Sequence, residues 1–186
     1  MTVEQSLSDA EQKMRGAVSV THDELGTIRT GRANPRLLDR LTVDYYGTQV
    51  PLNQLASFSV PEPRLLVIQP FDKSAISAME KAIQSSDLGL TPSNDGNVIR
   101  LAFPPLTEER RKELIKLAKE RAEDGRVSVR NVRRHAKDTL ERLEREHAIS
   151  EDDLRRSEKE LQRLTDQYVA EIDKLLEHKD KELMEV

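Results

Sequence analysis

The sequence predicts an α+β protein: an elongated antiparallel three-helix bundle interrupted by a small inserted mixed module. Three observations carry this. Apolar residues recur at spacings of three, four and seven toward both ends of the chain, which is helical periodicity. All eight prolines lie between positions 35 and 105, so punctuated chain is confined to the middle. The 186 residues are 36% hydrophobic, 34% charged and only 3% aromatic, which supplies narrow stripes on long helices rather than one thick core.

Residues 2 to about 29 read as the first helix. Leu7, Met14, Val18, Thr21, Leu25 and Ile28 draw one stripe, no proline interrupts it, and Ser6 and Ser8 are candidate N-caps.

From about 31 to 104 the pattern changes. "LTVDYYGTQV" reads as strand, turn at Gly47-Thr48, strand. "RLLVIQP" is a short apolar run closed by proline, hence a buried strand. "KSAISAMEKAIQSS" places Ile76, Met79, Ala82 and Ile83 on one face of a short helix. "TPSNDGNVIRLAFPP" reads as turn, strand and Pro-Pro stop.

Residues 107–186 return to helix. Thr107 suits an N-cap, and Glu108 and Glu109 suit the positive end of the helix dipole. Ile115, Ala118, Ala122, Gly125, Val129, Val132, Ala136, Thr139 and Leu143 form the expected core seam, with Gly125 allowing close helix approach or a bend. The helix stops near "EHAIS". Ser150, with Asp153 three residues on, caps the next helix. Leu154, Leu161, Tyr168 and Leu175 mark its heptad stripe, with Leu164 and Ile172 between.

A helix with one apolar stripe is marginal alone in water, so the three must pack together. The expected organisation is a bundle from residues 1–30 and 105–186, with 31–104 inserted. At ~1.5 Å per residue the long helices span roughly 45–60 Å. "TGRANP" and "FPP" connect the parts. Gly31, next to Thr30, brings torsional freedom; Pro104 and Pro105 restrict it; the pair can act as a hinge.

The formal net charge is −4, yet "RVSVRNVRRHAK" at 126–137 concentrates four arginines and a lysine. One step from the seam lie Lys116, Lys119, Glu123, Arg126, Arg130, Arg133 and Lys137, with Arg134 alongside. This ridge has two readings. Charge runs on long helices commonly form solvated faces with acids at i,i+4. Against that, 126–137 contains no acid, and the planar arginine fork suits phosphate, so a nucleic-acid contact is the second reading.

Other chemistry finds no support. There is no cysteine, which excludes disulfides and thiolate chemistry and fits the cytoplasm. No Gly-rich phosphate loop is present, so nucleotide hydrolysis by this chain is not expected. His22, His135, His147 and His178 are scattered without metal-ligand spacing; no metal or cofactor is expected. No apolar run approaches ~18 residues, and no signal-peptide h-region opens the chain, so neither a membrane span nor export is expected. "YYG" at 45–47 either packs the hairpin or stacks on bases.

"LGTIRTGRANP", "VDYYGTQVPLNQLAS", "IQPFDKSAI", "NDGNVIRLAFPPLTEERRKEL", "VRNVRR", "ISEDDLRRSEKELQRLTD" and "KDKELMEV" together resemble the bacterial ribosome recycling factor family, in order and over almost the full length. The resemblance implies an L-shaped molecule: a three-helix bundle and a smaller β/α/β domain on a flexible elbow. It implies a monomeric, non-enzymatic translation factor of the cytoplasm with no small-molecule substrate. Such a factor binds the post-termination ribosome and, with elongation factor G and GTP, splits it into subunits. The bundle would lie on ribosomal RNA of the large subunit. The family's arginine pair falls on Arg130 and Arg133; Arg126, Arg134 and Lys137 extend that face by geometry alone. Arg29, Gly31 and Arg32 match near the elbow, either as RNA contacts or as hinge structure. Two rival functions, a coiled-coil adaptor or chaperone and an RNA chaperone acting on free RNA, share the helical pattern.

Overall fold

The computed structural model describes residues 1–28 and 30–185. In chain order its elements are α1 (Val3–Gly26), a 3-10 turn (Pro35–Leu38), β1 (Thr42–Tyr45), β2 (Thr48–Pro51), the one-turn α2 (Leu52–Leu55), β3 (Ala56–Glu62) and β4 (Leu65–Pro70). A second 3-10 turn (Lys73–Ala75), α3 (Ile76–Gln84), β5 (Pro92–Asn94), β6 (Ile99–Ala102), α4 (Glu108–Arg145) and α5 (Glu151–Met184) follow. Two compact units result, one of α1 with Glu108–Glu185 and one of Thr30–Thr107. The protein is α+β, with its long helices and its sheets kept in separate units.

In the helical unit α1, α4 and α5 each pack on the other two. Arg126 meets Asp173, and Lys137 meets Glu158, so α4 and α5 run antiparallel. Ala10 and Met14 of α1 join Ala122, Val129, Ala136 and Leu140 of α4 and Leu161, Leu164, Tyr168 and Ile172 of α5 in one core. Tyr168 is buried, and its hydroxyl donates to Glu11 Oε1 of α1 at 2.8 Å, which satisfies the polar tip of a core aromatic.

The helix ends carry specific signals. Thr2, not Ser6 or Ser8, caps α1: its hydroxyl accepts from Gln5 N while Gln5 returns a bond to the Thr2 amide. Ser6 lies buried inside the helix instead. The expected Ser150 and Asp153 capping box opens α5. α4 ends in a Schellman turn, with Ala148 N donating to Leu143 O and His147 N to Glu144 O, both at 2.9 Å. His147 takes the left-handed conformation there (φ 56), a place usually held by glycine.

The seam on α4 needs correction. Its buried residues are Leu114, Ala118, Ala122, Gly125, Val129, Ala136 and Leu140. Ile115, Val132, Thr139 and Leu143, expected in the core, lie half-buried at its margin. α1 and α5 each cover part of the circumference of α4, so the buried face is broader than one stripe and its centre is set by both neighbours. Gly125 sits where all three helices meet: a Cβ there would come within 2.2 Å of Thr21 Oγ1 and 3.1 Å of Ile172 Cδ1. Close approach is therefore the reason for this glycine.

In the other unit, β1 and β2 form a hairpin and β3-β4-β6-β5 an antiparallel sheet. Val43, Leu52, Leu66, Ile68, Met79, Ile83, Ile99 and Leu101 fill the core between these strands and α3. The hairpin turn is Tyr46-Gly47 rather than Gly47-Thr48. Both residues have positive φ (49 and 80), the pairing whose twist matches a two-residue hairpin. β3 and β5 were not expected as strands. β3 is an edge strand in which only Ala56 is buried, and Pro92 opens the opposite edge, so neither carries an apolar alternation.

Asp95 organises the β5–β6 turn. Its carboxylate accepts from Val98 N at 3.0 Å, Asn97 N at 2.9 Å and the Arg100 guanidinium at 2.9 Å. These bonds, the Val98 and Asn97 amides first, hold its pKa far below the ordinary carboxylate range. A depressed folded-state pKa gives stability that is fully present above the unfolded value of about 4 and is lost as pH falls below it. Asp95→Asn is therefore expected to speed amide exchange of the β5–β6 turn at pH 6, with the difference from wild type shrinking progressively below about pH 4.

Candidate RNA-binding face of α4

α4 is a 38-residue helix without proline, with Glu108 and Glu109 in its first turn and Arg142 and Arg145 in its last, each favourable to the helix dipole. Burial of Val129 and Ala136 fixes its rotation, and that rotation brings Arg130, Arg133, Arg134 and Lys137 to the surface at or beside the α5 boundary.

The absence of acid within 126–137 does not leave the ridge unneutralised. Glu123, one turn earlier, accepts from Arg126 at 3.1 Å and from Arg130 at 3.2 Å. Lys137 faces Glu141 at 3.6 Å and Glu158 of α5 at 3.9 Å. Arg133 donates to the Gln162 side-chain oxygen at 3.3 Å, and Gln162 in turn donates to Asp166 at 2.8 Å. Arg134 is exposed and makes no hydrogen bond or ion pair among the described residues. Besides Glu123, which lies on the ridge itself, the compensating acids are Glu141 one turn beyond the window and Asp173 and Glu158 on α5, none of them within residues 126–137.

These contacts differ in strength. Arg126 is the most enclosed, with its side chain 17% exposed and its Nε donating to Asp173 of α5 at 2.7 Å. Burial works against its charge, but the Asp173 and Glu123 carboxylates outweigh that and raise its pKa. It is a clasp between α4 and α5. The Arg130 pair is half exposed, a setting where an ion pair is worth ~0–1 kcal/mol and exchanges readily for another anion. Among the described residues Arg133 has only a neutral partner, Gln162. The face thus presents Arg134 without a partner among the described residues, and Arg130 and Arg133 held only by an exposed carboxylate and a neutral amide. Lys137 lies one turn beyond.

The other sequence candidates fall in the sheet unit or outside the described residues. Arg29 is outside them. Arg32, Pro104 and Pro105 are exposed, Thr30 is half-buried, and Gly31 holds φ 76. Of the tyrosine pair, only Tyr45 packs on the core, its hydroxyl donating to Asp72 Oδ2 at 2.8 Å. Tyr46 is 79% exposed, and Phe71, not singled out in the sequence, is 73% exposed. Among the described residues no group of three His, Asp or Glu side chains could hold a metal, and no helix is long and apolar enough to cross a membrane.

The family model "Ribosome recycling factor" matches residues 21–184. The chain belongs to the ribosome recycling factor family. The ribosome-recycling factor of Geobacillus kaustophilus is 60% identical over 182 residues, covering 98% of both chains. That of Acidothermus cellulolyticus is 55% identical over 184 residues, 99% of this chain and 100% of the relative. A solution structure of the ribosome recycling factor is 46% identical, with a TM-score of 0.77 over 100% of this chain and 99% of the other. A second match, 47% identical with a TM-score of 0.66 over 98% and 99%, comes from models for the T. thermophilus ribosome recycling factor and the E. coli elongation factor G bound to the E. coli post-termination complex. The family is one of ribosome-binding proteins of protein biosynthesis, and the helical bundle of this chain is the unit that carries the basic face.

Proposed function

We propose that this chain binds the post-termination ribosome and, with elongation factor G and GTP, splits it into subunits and frees it from mRNA. The carrying observation is that a family member matched over nearly its whole length is described on the post-termination complex together with elongation factor G. In this reading the bundle, α1 with Glu108–Glu185, rests on RNA of the large subunit. Arg130, Arg133 and Arg134 meet phosphates, with Lys137 and Arg126 at the margins and Arg29 and Arg32 as further contacts. Planar guanidiniums bond phosphate oxygens in pairs, and each contact releases condensed counterions.

The chain performs no bond chemistry in this scheme. Elongation factor G hydrolyses the GTP, and this protein converts the displacement into loss of intersubunit contacts, as a cytoplasmic monomer. Residues 31–104 receive the force. The connections at Thr30–Gly31 and Pro104–Pro105 serve as the hinge. Gly31 at φ 76 supports this, because a torsion in that region is cheap only for glycine. The energy for splitting comes from the motor and from tighter binding to the separated state. The test is sedimentation of post-termination ribosomes through sucrose. Subunits should appear with this protein, elongation factor G and GTP together, and not when any one is left out. Intact ribosomes in the complete mixture would refute the proposal.

A further inference from the structure

Glu123 interrupts the basic ridge, and its position is specific. Its two carboxylate oxygens are divided: Oε2 takes Arg126 Nη1 at 3.1 Å and Oε1 takes Arg130 Nη1 at 3.2 Å. The Arg126 side is a half-enclosed clasp that Asp173 holds independently at 2.7 Å. The Arg130 side is exposed on both partners, 51% and 54%. Hydrogen bonds from Arg126 first, and from Arg130, hold the carboxyl below its ordinary range, so it is an anion at neutral pH.

A carboxylate and a phosphate are both anionic acceptors for a guanidinium, so either can take Arg130. Glu123 occupies one of the five N–H donors of Arg130 and offsets its charge, so a phosphate that takes the full guanidinium must compete with it. We infer that Glu123 is a built-in competitor for RNA phosphate at Arg130, anchored by Arg126 so that it stays in place when Arg130 departs. This rests on the RNA-binding reading of α4. Its consequence is kinetic. An arginine that has an internal anion to return to leaves its phosphate more easily, which favours release from the ribosome after each round.

The test uses the full chain with a dye on an introduced cysteine, binding to isolated large ribosomal subunits. Glu123→Gln keeps an oxygen for Arg126 but removes the charge. It should bind up to about fivefold more tightly, mostly through slower dissociation, the range for removing one exposed pair. Arg130→Ala should bind more weakly, and Glu123→Gln added to Arg130→Ala should change nothing further. Glu123→Ala, with an unchanged melting temperature, should repeat the gain. Unchanged or weaker binding by both Glu123 variants, while Arg130→Ala still weakens binding, overturns the competitor and leaves the RNA face standing. A gain that persists in the Arg130→Ala background also overturns it, since general repulsion of RNA would then be the cause. Normal binding by Arg130→Ala takes down the face and the competitor together.

Discussion

Gly125→Leu is expected to abolish the folded bundle. At this point α1, α4 and α5 approach closely enough that one added carbon would meet Thr21 Oγ1 at 2.2 Å and Ile172 Cδ1 at 3.1 Å. A leucine adds three more carbons where there is no space for the first. Thr21 cannot turn away at no cost, because it is buried and its hydroxyl donates to Ala17 O at 2.9 Å. Gly125→Ala is the graded version. Alanine gains ~1 kcal/mol in helix propensity, against overpacking of ~1–3 kcal/mol and the displaced Thr21 bond. Its melting temperature should fall. Thr21→Ala added to Gly125→Ala should recover much of the loss, because the clashing oxygen is gone. Circular dichroism melts of the four proteins check this; additive losses in the double variant would show that the helices part elsewhere.

The same site shows how far the sequence can be read. The stripe on α4 is legible because 3.6-residue periodicity survives in Ala118, Ala122, Gly125, Val129 and Ala136, and these are buried. Its margins are not legible. Whether Leu114 or Ile115, Thr139 or Leu140 faces inward depends on where α1 and α5 sit, which is a property of the packed bundle. β3 is not legible either, because an edge strand with one buried residue carries no alternation. The basic ridge was legible as a list of residues but not as a state of charge. Asp173 and Glu158 reach it from more than twenty positions away, and nothing local to residues 126–137 records them. Distinguishing Arg126, a clasp, from Arg130, Arg133 and Arg134, which face solvent or weak partners, required the fold.

That distinction sets the second large effect. Replacing Arg130, Arg133 and Arg134 together with alanine should cost ~1–3 kcal/mol for each charge-assisted phosphate bond lost, so binding to the large subunit should weaken by on the order of a hundredfold or more. The fold should persist, since no core residue changes and the Arg126 clasp remains. The most direct measurement is the salt dependence of large-subunit affinity for the wild type and this triple variant. If the face meets phosphates, the logarithm of the binding constant falls linearly with the logarithm of salt concentration, and the variant's line is shallower by roughly two to three. Parallel lines, with the variant still folded, would contradict the claim that this face of α4 binds RNA.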